Sequence, residues 1–175
     1  MSFRKRLTLI AVACAVLFVL AAGALYSYIV SGGLIARQKP STIETNVARL
    51  MVRVSVPEAS KVMKNPLMAD SGGVDVSAGR DLYKQKCEMC HGYDGSGKTE
   101  TGAGLYPPPI DLRSPEVTSA TDGELFYFIR NGIRNTAMPG WRLPDQDTWR
   151  LVIQIRNLPK VASLTARAQI GRAHV

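Results

Sequence analysis

The chain has 175 residues, nearly half of them apolar (46%), and a net charge of +8 from 22 basic and 14 acidic groups. That length accommodates one domain with appendages. The charge does not indicate a nucleic-acid partner, because the eleven basic side chains between 71 and 160 are matched by eleven acidic ones and the surplus lies in residues 1–70 and at Arg167 and Arg172.

Residues 1–6 form a basic N-terminus with Arg4, Lys5 and Arg6. Residues 7–30, LTLIAVACAVLFVLAAGALYSYIV, carry no charge and exceed the ~20 apolar residues that a membrane-spanning helix needs. The positive flank places the N-terminus in the cytoplasm and everything beyond about residue 31 on the outer side. A cleaved signal peptide ending at Ala22-Gly23-Ala24 is the alternative, although the apolar run continues past that site. Either route delivers the remainder to an oxidising compartment.

Residues 31–70 read as a linker opened by Ser31-Gly32-Gly33 and broken by Pro40, Pro57 and Pro66. Ser41 and Glu44 form a capping box, after which Ile43, Val47, Leu50, Met51 and Val54 recur on one helical face. The alternation Leu50, Val52, Val54, Val56 also suits a strand. An apolar stripe outside the main domain either packs on that domain or docks on a partner.

Residues 71–160 read as short helices without a sheet. The first follows Gly72-Gly73, is capped by Ser77 or Asp75, and lines one face with Val76, Gly79, Leu82, Tyr83 and Cys87. It leads into Cys87-Glu88-Met89-Cys90-His91, two cysteines two residues apart followed by histidine, the attachment pattern of a c-type haem. On one turn both thiols can form thioethers while His91 ligates the iron. A dithiol redox pair would sit in a βαβ pattern, absent here, and zinc would need four ligands, with only Cys14 and His174 left to complete them.

Gly92 to Pro115 is loop, containing Tyr106-Pro107-Pro108-Pro109-Ile110-Asp111-Leu112. A second helix starts at the capping box of Thr121 and Glu124, carries Leu125, Phe126, Phe128 and Ile129, and stops at Asn131-Gly132. A third is capped by Asp145, runs through Trp149, Val152, Ile153 and Arg156, and closes at Pro159. Residues 161–175 read as a flexible tail. The candidates for the second axial ligand are Met51, Met63, Met68, Met89, Met138 and His174. Met89 lies on the proximal side between the cysteines, and His174 would require an ordered tail. Met138, in the irregular segment Asn135-Thr136-Ala137-Met138-Pro139-Gly140, can close over the opposite face. With so short a chain around it, the haem itself serves as core, and the apoprotein is expected to fold poorly.

Gly79, Tyr83, Cys87-x-x-Cys90-His91-Gly92, the triple proline, Asn131-Gly132, Met138-Pro139, and Trp149 with Leu158-Pro159 together resemble the class I, single-haem c-type cytochromes, similar to the membrane-anchored cytochrome c subunits of bacterial respiratory complexes. The resemblance covers about residues 71–160. It implies an all-α class I cytochrome c fold around one covalent haem c, preceded by a single transmembrane helix. It further implies that Gly79 and Tyr83 cross the last helix near Trp149, and that a carbonyl of the proline loop accepts the His91 ring N–H. The expected function is electron transfer with His91/Met138 ligation, from a haem domain on the periplasmic side of a bacterial inner membrane. A membrane redox complex or another cytochrome is the implied partner, and the bilayer holds residues 7–30. The alternative is a haem enzyme or small-ligand sensor with an open or labile sixth position.

Overall fold

The computed structural model describes residues 3–31, 35, 39–68 and 76–172, the side chains of 159–172 excepted. Among the described residues every regular element is helical and no strand occurs, in line with the all-α expectation. Two compact units are present, Met1–Gln38 and Lys39–Val175.

The first unit holds helix α1, Phe3–Val30. Its side chains are exposed throughout, and at 1.5 Å per residue it is about 42 Å long. It is long and apolar enough to cross a membrane.

The second unit starts with α2, Thr42–Ser55. Ser41 Oγ accepts the Glu44 N–H at 3.2 Å and the Glu44 carboxylate accepts the Ser41 N–H at 3.4 Å. This reciprocal box satisfies two donors that a strand would not leave open, and the segment is helical through the Leu50–Val54 alternation. α3, Glu58–Lys61, and a 3₁₀ turn at Pro66–Met68 follow. This stretch contributes to the packing of the second unit: Val56 is buried, Leu67 lies against the core, and the buried Asn65 donates from Nδ2 to the Trp149 carbonyl at 3.1 Å. Gly123 makes room for it, since a Cβ there would collide with the carbonyl oxygen of Ser60.

α4, Val76–Lys86, crosses α9, Asp145–Arg172. The crossing is as close as backbones allow: a Cβ on Gly79 would stand 2.6 Å from the Arg150 carbonyl oxygen. Tyr83, one turn on, is buried with Trp149, Leu151, Val152, Ile155 and Leu158. The short helices α5 (Glu88–His91), α6 (Glu100–Ala103) and α7 (Pro115–Thr118) lie between α4 and α8, Asp122–Asn131. α8 opens on the Thr121/Glu124 capping box, ends at Gly132, and buries Leu125, Phe126 and Ile129, with the Phe126 ring stacked on Trp149 at 4.2 Å. Gly79→Val is expected to cost about 1–3 kcal/mol, the usual penalty for forcing a side chain into a filled contact, read as a lowered denaturant midpoint.

Several details differ from expectation. Val76 is exposed and Phe128 only half-buried, so the buried face of each helix is narrower than its apolar content. Asp75, a possible cap, lies outside the described residues. α9 begins at Asp145, so that side chain belongs to the first turn, where it pairs with Arg130. The same helix passes through Pro159 to Arg172: proline removes one hydrogen bond but has a helical φ, and the alanine, leucine, arginine and glutamine that follow are strong helix formers.

Candidate functional site

α4 ends one residue before Cys87, and the chain turns at once into α5. The Cys90 and His91 N–H groups both donate to the Cys87 carbonyl, at 3.2 and 2.9 Å. Two thiols and an imidazole therefore share one turn. Gly92, at φ +77°, ends it, and its carbonyl accepts the Tyr83 hydroxyl at 2.8 Å. Burial pushes the Tyr83 phenol well above its ordinary value, so it stays a neutral donor that ties the exit of the turn to the core.

The His91 ring donates from Nδ1 to the Ile110 carbonyl at 3.3 Å. A carbonyl of the proline loop was expected, and the acceptor is the residue directly after Pro109. With the proton on Nδ1, Nε2 offers its lone pair. Burial lowers the His91 pKa, more than the Ile110 bond raises it, which keeps the imidazole in the neutral form that binds metal. Burial, assisted by Cys90, pushes the Cys87 thiol up to about 12. The donor set fits a covalently held haem: two thiols for thioethers and one oriented imidazole nitrogen.

The Ile110 carbonyl is held by its loop. The Gly97 N–H donates to the His91 carbonyl and the Leu112 N–H to the Gly95 carbonyl, each at 2.8 Å. At Gly97, φ +71°, a Cβ would lie 2.5 Å from the Pro109 carbonyl oxygen. Arg113 forks onto Asp111 through Nε and Nη2, at 2.9 and 2.8 Å, and reaches Asp94 through Nη1 at 3.2 Å. The Arg113 hydrogen bonds hold Asp111 below the usual carboxylate range against a smaller effect of burial. For Asp94, burial is the largest effect and raises the pKa, but the Ser96 hydrogen bonds and the Arg113 charge together outweigh it. Carboxylates lowered in the folded state contribute stability above about pH 4, the unfolded value, and lose it as pH falls through their folded values. Between about pH 4 and pH 2 the melting temperature of Arg113→Ala is therefore expected to fall less steeply than that of the wild type, in thermal melts across that range.

Met138 lies between α8 and α9. The Ile133 N–H donates to the Met138 carbonyl at 3.1 Å and the Met138 N–H to Thr136 Oγ1 at 3.1 Å. Asn135 adopts φ +60° and Gly132 φ +70°, where a Cβ would stand 2.5 Å from the Gly140 nitrogen. Met138 is half-buried, whereas Met51, Met63, Met68 and Met89 are exposed. His174 lies outside the described residues. Trp141, just after this loop, contacts α8 and the last residue of α4. Its N–H donates to the Ile129 carbonyl at 2.9 Å, and the ammonium of Lys86, beside Cys87, lies 5.2 Å from its ring centroid. Cys87, Trp141 and Leu143 pack against the same core. Ile110, Arg113 and Trp141 carry this architecture without any motif of their own; only the position of Ile110 after three prolines hinted at its part.

Residues 74–153 match the family described as cytochrome c oxidase, cbb3-type, subunit III. The chain carries a c-type cytochrome domain. The domain thus binds haem c covalently and serves electron transfer. A curated relative, a thiosulfate dehydrogenase from Stutzerimonas stutzeri, is 40% identical over 37 residues, 21% of this chain and 12% of that protein. A solved structure of the reducing HAO-like protein complex of Kuenenia stuttgartiensis aligns at 20% identity with a TM-score of 0.47, over 55% of this chain and 49% of that one. The chain thus spans only a small part of the curated relative and about half of the structural one.

Proposed function

We propose that this chain is a membrane-anchored, periplasmic electron carrier whose cytochrome domain has His91 and Met138 as axial ligands. The observation that carries the reading is the single turn on which Cys87, Cys90 and a neutral, Ile110-oriented His91 converge. Cys87 and Cys90 hold the group by thioethers, and His91 supplies Nε2 from the proximal side. Bound there, haem contributes a one-electron Fe(II)/Fe(III) couple. Met138, half-buried on the loop that leads into Trp141, fills the sixth position. With that position filled, no substrate reaches the metal, and the domain only accepts and passes on electrons. The match to an oxidase subunit family supports a membrane redox complex, or another cytochrome, as partner.

α1 and the Arg4-Lys5-Arg6 flank support a retained anchor with the haem domain on the outer side. Full-length protein expressed with haem-attachment machinery is expected in the membrane fraction, with an intact N-terminus by mass spectrometry and one reversible one-electron wave. A mature terminus at Leu25 in the soluble fraction would overturn the anchor. Rapid carbon monoxide binding by the ferrous protein, or turnover of a peroxide, would favour the enzyme or sensor reading.

A further inference from the structure

The apolar stripe of α2 does not pack on its own unit. Ile43, Val47, Leu50, Met51 and Val54 are exposed by 78, 52, 63, 63 and 71%. At 100° per residue these five share one side of the helix, and the half-buried Thr45 and Val52 lie opposite. Polar contacts seat the helix: Glu44 bonds the Tyr106 hydroxyl, and Arg49 pairs with Glu116 at 3.3 Å. The outward face is thus the more apolar one, an inversion of the usual arrangement for a helix on a globular domain.

We propose that this face lies on the lipid surface of the membrane that α1 crosses. The proposal rests on the anchor reading above. Three observations favour lipid over a neighbouring protein. The segment 31–41 is all that separates α1 from α2, a reach of at most about 40 Å at full extension, so the tether keeps the start of α2 within that distance of the end of the anchor. The stripe is the convex side of a single helix without a groove, which suits a fluid apolar medium that needs no matching shape. Arg53 lies beside the stripe, Arg49 is turned onto Glu116, and the only acidic residue of the helix, Glu44, is engaged by Tyr106. An exposed apolar face with a basic residue beside it on an otherwise polar helix is the pattern of interfacial helices, with the Arg53 guanidinium at the level of anionic headgroups. Lying there, α2 holds the haem domain at one height and orientation, and thereby selects which face of the domain a membrane partner meets.

The test uses full-length holoprotein in nanodiscs of phosphatidylcholine and phosphatidylglycerol. Cys14→Ser removes the free thiol, and spin labels are placed one at a time through Val16→Cys, Leu50→Cys, Val54→Cys and Ser55→Cys. Accessibility to oxygen, which concentrates in lipid, is compared with accessibility to a water-soluble nickel chelate. Labels at 50 and 54 are expected to favour oxygen several-fold relative to the label at 55. Labels at 50 and 54 open to the nickel chelate, with 16 in lipid, would overturn the inference and leave the anchor standing. A water-exposed label at 16 would overturn the anchor reading itself. Labels at 50 and 54 immobilised and shielded from both reagents would assign the stripe to a protein contact instead, which also overturns the proposal.

Discussion

Replacing Cys87 and Cys90 together by alanine is expected to leave a chain with no covalent haem and no cooperative melting transition. Both thiols sit on the turn that α4 delivers, and Cys87 packs directly against the core. Among the described residues the polypeptide core of the second unit forms one cluster, and a domain of this size holds in total only about 5–15 kcal/mol. Loss of a macrocycle bound through both cysteines is expected to remove at least about 5 kcal/mol, the lower end of that range. The measurement is mass spectrometry after denaturation, together with a thermal melt. Haem retained covalently by the double variant, or extracted from the wild type by acid solvent, would contradict the assignment.

Met138→Ala has the second large effect, and it acts on the potential more than on the fold. Methionine ligation raises the potential of a His-ligated haem, and axial ligands as a class move it over about 0.8 V. The variant is expected to lose the ferric sulfur-to-iron charge-transfer band and to drop in midpoint potential by on the order of 0.1 V or more. Its ferrous form should gain rapid carbon monoxide binding. Because Met138 is half-buried and its loop is fixed by the Thr136, Ile129 and Lys86 contacts to its backbone and to Trp141, melting should shift little. An unchanged band and potential would assign the sixth position to another residue.

The elements that the sequence predicted well are those whose determinants are local. Both capping boxes, Ser41/Glu44 and Thr121/Glu124, form as expected, because the groups that bond are three residues apart. Gly79 and Tyr83 meet α9 as the family pattern implied. The contribution of residues 56–67 to the core was not legible: Asn65 meets Trp149 and Ser60 meets Gly123, contacts between positions tens of residues apart that no periodicity records. The stripe on α2 was legible as a stripe, but periodicity says which residues share a face and nothing about which way the face points.

The chemistry of attachment is set by the sequence alone. Cys87, Cys90 and His91 fall on one turn by spacing, and a turn needs only its own backbone hydrogen bonds to bring them together. The tertiary structure alone decided the rest of the site. It placed the Ile110 carbonyl, nineteen residues along, on the ring nitrogen, through a loop held by Arg113, Asp94 and Asp111, and it set Trp141 over Lys86. It also turned the apolar side of α2 outward. Each of these depends on closing a long loop against the core, and that balance of packing and chain entropy is a property of the whole fold.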